Sequence, residues 1–276
     1  MSASLFKSRQ TSPQQKEDLV STVFSDSANR LTARNDLDFW DQSWNPLETL
    51  TDDSSSLVKW RSIGVRHRAI PSYVLIGPRG GSIPVRLALI GGLDSGDVLS
   101  TAAIVKILVE LDLAPWQAQD YALFGYPLAN PADDGIERDF ENDFWCQSSD
   151  PVIHFFEQEF AANEFDGVIA VKGNEPISGL QVCVSSRVIA TEALWPSLEL
   201  AQKIVPLSSE PIRLLPGPER ASHAFFNLKS VRPRPFSLVI RTPAHLPFEN
   251  QVSAVAFSVK RILHDYRALI AHAESI

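Results

Sequence analysis

Apolar residues follow two rhythms along this chain. Continuous apolar runs of strand length lie at 72–77 (SYVLIG), 84–92 (PVRLALIGG), 120–128 (DYALFGYPL) and 166–173 (DGVIAVKG), with a later one at 237–243 (SLVIRTP). Runs that are apolar on both faces suit strands in the middle of a parallel or mixed sheet. Helical patterns come between and after them. Residues 97–113 (DVLSTAAIVKILVELDL) are apolar nearly all round and predict a buried helix. Residues 150–163 (DPVIHFFEQEFAAN) open with an Asp that suits an N-cap and a Pro that suits the first helical position. Near the C-terminus, Val252, Val255, Val259, Ile262, Tyr266 and Leu269 share one helical face. The glycines of PRGGS, between the first two runs, predict a hairpin-like turn. Strands alternating with helices of this length predict one three-layer α/β/α domain around a mixed central sheet.

Residues 1–35 are rich in Ser, Gln, Thr and Asp and carry few apolar anchors. They predict a loosely ordered N-terminal arm, with one short helix at KEDLVSTVFS. A single compact domain is expected over 36–276, beginning at the aromatic anchors of DLDFWDQSWNPLETL, with a surface loop at 52–56.

Composition narrows the function classes. With 44% hydrophobic and 21% charged residues, the chain has the make-up of an ordinary globular protein. A net charge of −8 argues against a nucleic-acid partner, which needs a basic stripe. The local basic clusters at Arg61, Arg66 and Arg68, at Arg232 and Arg234, and at Lys260 and Arg261 read as solvated faces. No run of 18 apolar residues occurs, and the N-terminus lacks a secretory apolar region, so no membrane partner is expected. Two cysteines, Cys146 and Cys183, make neither a disulfide framework nor a zinc cluster. They read as buried, inert thiols, and a reducing, cytoplasmic location is expected. Oligomeric state is left open.

One stretch carries candidate chemistry. In LALIGGLDSGDVLST, residues 87–101, a strand meets a helix through a Gly-Gly turn, with Asp94 and Asp97 three residues apart. Gly91, Gly92 and Gly96 suit a tight crossing and match a dinucleotide fingerprint poorly. Three readings of the two acids stand side by side. They complement the start of the helix, with Asp97 as its N-cap; they belong to a salt-bridge network; or they hold a metal. Ser95 lacks the GxSxG setting of a serine hydrolase. None of the six histidines stands at metal-ligand spacing with another. His245, in RTPAHLPF just after Arg241, is the one placed to reach a cleft at the strand ends.

The order IGGLDSGD, YPLANP, RDFENDFW, FDGVIAVKG and VIRTP before a C-terminal helix resembles the zinc carboxypeptidase family, including its aspartoacylase and succinylglutamate desuccinylase branch. The resemblance covers roughly residues 57–270 and implies a mixed sheet of the zinc carboxypeptidase type. It also implies a zinc site and hydrolase chemistry, but the residues at the matching positions differ. The family's first two zinc ligands, a His and a Glu spaced HxxE, fall on Asp94 and Asp97. Its third ligand, a His after a strand, falls on Lys172, and its catalytic Glu falls on Arg241. Its Asn-Arg pair, which grips a substrate carboxylate, falls on Glu141 and Asn142. GNEPISGL matches a loop lining the family's pocket and brings Glu175.

Every departure falls on chemistry. Zinc prefers nitrogen and sulfur ligands, and an ammonium is a cation at neutral pH. Arginine stays protonated and cannot be the general base for a metal-bound water. The substitutions complement one another in charge, with Asp94, Asp97 and Glu141 facing Lys172 and Arg241. The expectation is that Lys172 takes the place of the metal's charge and bridges both aspartates, while Arg241 pairs with Glu141 or Asp97. Removing a partner from such a buried network costs about 3–5 kcal/mol. The leading functional expectation is therefore a binding or regulatory pseudo-enzyme without a cofactor. Its residual cleft would take a peptide or small amino-acid derivative. The alternative is a metallo-carboxypeptidase or N-acyl amino-acid amidohydrolase with an atypical zinc site. New chemistry at Lys172 is a weaker third reading, because nearby carboxylates raise rather than depress an ammonium's pKa.

Overall fold

The structure is a computed structural model that describes residues 46–52, 54, 56–65, 68–80, 83–94, 96–130, 150–215 and 235–274. Eight strands form one mixed sheet: β1 (Leu57–Val65), β2 (Arg68–Ile76), β3 (Val85–Ile90), β4 (Tyr121–Tyr126), β5 (Gly167–Glu175), β6 (Leu180–Val184), β7 (Leu207–Leu214) and β8 (Phe236–Pro243). Their order across the sheet is β1-β2-β4-β3-β5-β8-β6-β7. The four middle strands β4, β3, β5 and β8 run parallel. Antiparallel pairings of β2 with β1 and β4, and of β6 with β8, flank them.

Helices cover both faces. Helix α1 (Val98–Leu113), a helical run α3 (Arg187–Ile189, a π turn at Ala190–Leu194, then Trp195–Ala201) and helix α4 (Phe248–Glu274) share one apolar core with one face of the sheet. Helix α2 (Pro151–Asn163) packs on the opposite face through Val152, Ile153, Phe156 and Phe160. This is the expected three-layer α/β/α arrangement.

Local sequence explains the helices. Helix α1 buries Leu99, Ala102, Ile104, Val105, Ile107, Leu108, Val109 and Leu111, which lie all around its circumference, because it is sandwiched between the sheet and α4. Asp150 caps α2 by accepting hydrogen bonds from Val152 N at 2.8 Å and Ile153 N at 3.2 Å, and Pro151 takes the first turn. Val252, Val255, Val259 and Ile262 of the expected α4 stripe are buried, and Tyr266 meets Phe236 edge-on at 4.8 Å.

One element differs from the sequence reading. The PRGGS segment does not close a hairpin, because β4 lies between β2 and β3. The chain instead turns away at Gly77, where a Cβ would sit 1.7 Å from the Ala118 carbonyl oxygen. Asp120, held at φ 63°, then takes the Gly80 N–H on its carboxylate and donates its own N–H to Pro78 O at 2.9 Å. The hairpin of this region is β1–β2, formed partly by the basic stretch that reads as a solvated face. Arg61 of that stretch is half exposed, yet its guanidinium reaches the fully buried Glu159 at 2.7 Å. Trp60 Nε1 and Tyr126 Oη donate to the same carboxylate at 3.2 and 2.8 Å.

Candidate cleft at the strand ends

The carboxyl ends of β4, β3, β5 and β8 lie along one edge of the sheet. From β3 the chain moves to β4 on one side and later returns to β5 on the other. Open α/β sheets bind ligands at such a switch point, outside the carboxyl ends of the strands. All the candidate residues among those described come from the loops and strand ends here.

The segment after β3 is tightly built. Gly91 N donates to Tyr126 O at 2.9 Å, and Ala129 N donates to Gly91 O at 3.0 Å, tying the β3 and β4 exits together. A Cβ on Gly91 would lie 2.7 Å from Ser100 O and 2.8 Å from Pro127 O, so only glycine fits there without a shift. Gly92 at φ 58° and Gly96 at φ 82° take the left-handed turns that reverse the chain into α1. Buried Asn130 fastens the same corner, donating its side-chain amide to Leu93 O at 3.0 Å. The sequence marks Asn130 only through the weak NP dipeptide of YPLANP.

Asp97 is the N-cap of α1 and is buried, with 4% of its surface exposed. Its Oδ1 accepts from Ser100 N at 3.1 Å and its Oδ2 from Gly173 N at 2.8 Å. Burial pushes its carboxyl above the ordinary aspartate range; the Gly173 and Ser100 donors pull it down, and the neighbouring Asp94 charge pushes it up. The helix-start reading of Asp97 therefore holds, with a second anchor on β5.

Lys172 and Arg241 are register partners on adjacent parallel strands and point to the same face of the sheet. Two neighbouring cations need separate counter-charges. Lys172 Nζ lies 3.6 Å from Asp94 Oδ1, with Asp94 53% exposed. Arg241 pairs with Glu175 and donates to Gln181 Oε1 at 3.3 Å. Burial raises the pKa of the nearby Cys183 thiol, an effect that Arg241 and Arg213 partly offset.

Two expected contacts are thus corrected. Lys172 does not bridge both aspartates, because Asp97 points to the α1 face and gives its oxygens to backbone amides. Arg241 does not pair with Asp97; Glu175 is its acid, and it sits at the end of β5 rather than in a free loop. Glu141 and Asn142 lie outside the described residues, as do Trp145 and Cys146. His245 is exposed in the turn between β8 and α4.

The residues that the resemblance sets at ligand positions, Asp94, Asp97 and Lys172, do not fit a zinc ion. Both Asp97 oxygens are taken by N–H donors, and Lys172 offers an ammonium where a ligand nitrogen would be needed. Among the described residues no three His, Cys, Asp or Glu side chains cluster as a metal site.

Comparison with known proteins gives the fold its class. No protein-family model matches the chain, and no curated protein matches it in sequence. Solved structures do. A metallo-carboxypeptidase from Burkholderia cenocepacia is 15% identical with a TM-score of 0.63, over 85% of this chain and 70% of that one. Thrombin activatable fibrinolysis inhibitor is 11% identical with a TM-score of 0.63, over 91% and 80%. A Pseudomonas aeruginosa metallo-carboxypeptidase, solved with (2-guanidinoethylmercapto)succinic acid, is 15% identical with a TM-score of 0.55, over 83% and 68%. This chain has the metallo-carboxypeptidase fold. Among the described residues no helix is long and apolar enough to cross a membrane.

Proposed function

We propose that this protein uses the carboxypeptidase cleft to bind rather than to hydrolyse, as a regulatory or ligand-sensing pseudo-enzyme. One observation carries the reading: Lys172, at the strand end where the resemblance sets a metal-binding histidine, lies opposite Asp94, while Asp97 caps α1. A hydrolase of this class needs a polarising cation with an open coordination position and a base to activate water. Here the corresponding side chains are a lysine and an arginine. The ligand class the fold suggests is a peptide C-terminus or a small amino-acid derivative, whose carboxylate would face Lys172 and Arg241.

The test is metal content after purification without a chelating column, followed by calorimetric zinc titration and thermal shift against short peptides and N-acyl amino acids. The expected result is no stoichiometric metal, no heat of zinc binding, and a melting shift with at least one carboxylate ligand. Stoichiometric zinc together with peptide or N-acyl hydrolysis would replace this reading with an atypical metallo-hydrolase.

A further inference from the structure

A concavity lies a full helix length from the strand-end site. It opens beside Trp116, which follows the C-terminus of α1, whereas Asp97 caps the other end; the 16 residues of α1 separate them by about 24 Å. The groove encloses about 720 Å³ and is bounded by α4 along one wall.

Its lining is unusual for a protein of net charge −8. Trp116 is 67% exposed and Phe257 38%, two large aromatic faces left in water. The charged side chains of the lining are Lys260, Arg261, His264 and Arg267, all basic or capable of becoming so. Their acids sit behind them. Asp265, 10% exposed, takes Arg261 at 2.7 Å and His264 at 3.0 Å, while Asp120, 10% exposed, lies 3.6 Å from Arg267. Lys260 meets Glu110 at 2.6 Å. These ion pairs hold the cations in place, and the more solvent-exposed end of the Arg261, His264 and Arg267 pairs is the positive one. Positions 257, 260, 261, 264 and 267 form one helical stripe, and the lining continues to 271. That stripe is about 21 Å long.

We infer that this groove docks an acidic, amphipathic peptide segment of a partner protein. Its apolar side chains seat on Trp116 and Phe257, and its carboxylates face Arg261, His264 and Arg267. Length favours a polypeptide over a compact small molecule, and the charge pattern selects an acidic one. Exposed Trp beside Arg is the composition that dominates binding energy at protein interfaces. The inference does not depend on the cleft reading, since the two regions lie at opposite ends of α1.

The probe is a fluorescein-labelled 16-residue helical peptide with Leu and Trp on one face and Glu flanking it, titrated by anisotropy against the full chain. A control peptide carries Lys in place of every Glu. Saturable binding of the Glu peptide is expected, weakened about 5-fold or more between 50 and 300 mM salt and about 10-fold in the Lys peptide. Trp116→Ala should weaken it at least about 5-fold with an unchanged melting temperature. Arg267→Glu combined with Arg261→Glu should shift preference toward the Lys peptide. No saturable binding, equal binding of the two peptides, or indifference to the Trp116 and Arg changes overturns the proposal. So does tighter binding of dodecanoate than of the peptide, or a concentration-dependent dimer that Trp116→Ala abolishes.

Discussion

The carboxylate of Asp97 accepts a hydrogen bond from the backbone N–H of Gly173 at 2.8 Å, across 76 positions of sequence. The bond ties the start of α1 to the end of β5 at the switch point of the sheet. Gly173 permits this approach: a Cβ there would lie 2.5 Å from Asp97 Oδ1 and 2.9 Å from Leu99 Cβ. The junction of α1 with β5 is thus tightly packed.

The junction predicts a graded mutational series. Asp97→Ala removes the N-cap acceptor and the Gly173 acceptor together and is expected to cost about 2–4 kcal/mol. Asp97→Asn keeps one oxygen for Ser100 N but loses the second acceptor, so about half that cost is expected. Gly173→Ala should cost about 1–3 kcal/mol through overpacking. Urea midpoints order the three variants, and an Ala variant as stable as the parent contradicts the account.

Asp97 also sets a pH dependence. Its folded-state pKa is raised, chiefly by burial. Unfolded chains ionise first as pH climbs past the ordinary aspartate value of 3.8, and the folded state follows only at higher pH. Stability from this group is therefore full below that value and is lost as pH rises through the folded pKa. The stability of the parent relative to Asp97→Asn should fall across that window and then level off. Paired urea melts at closely spaced pH values from 3.5 to 7 check it; a flat difference contradicts the direction.

The two strand-end ion pairs should differ in strength. Arg241 and Glu175 are 27% and 13% exposed, so truncating either leaves a largely buried charge. Arg241→Met is expected to cost about 2–4 kcal/mol, with measurable coupling to Glu175→Gln in a double-mutant cycle. In the Lys172–Asp94 pair the acid is 53% exposed and the contact is 3.6 Å long, although Lys172 is 14% exposed, so Asp94→Asn should cost under about 1 kcal/mol. This lowers the network cost that the sequence alone suggests. A larger effect at Asp94 than at Arg241 would reverse the ranking.

Glu159 is the most thoroughly buried acid described, at 0% exposure, with donors from Trp60, Arg61 and Tyr126. Glu159→Ala leaves those donors facing a void and should cost about 3–5 kcal/mol, whereas Glu159→Gln keeps one acceptor and costs less. Thermal melts of both variants decide whether this network anchors the β1–β2 hairpin to α2.

The chain's own pattern was enough for the middle of the molecule. The apolar runs of β3, β4, β5 and β8, the all-round apolar α1, the Asp-Pro start of α2 and the stripe of α4 each report a period or a cap that local chemistry enforces. Asp97 as an N-cap belongs to the same class, because its Ser100 partner lies one turn away; its Gly173 partner and the Tyr126 and Ala129 partners of Gly91 come from elsewhere in the chain. The elements on the β7 side of the sheet did not show: β7 mixes exposed and buried positions, β6 is five residues long, and α3 passes through a π turn. The false hairpin at PRGGS has the same origin, since sequence adjacency does not say that β4 will insert between β2 and β3. Only tertiary structure decided which acid each cation meets. Lys172 and Arg241 are register partners 69 positions apart, so their counter-charges follow from which face each strand end presents. Charge complementarity can be read along a chain, but its pairing is set by three-dimensional register and burial, which give Lys172 to Asp94, Arg241 to Glu175 and the Asp97 carboxylate to backbone amides.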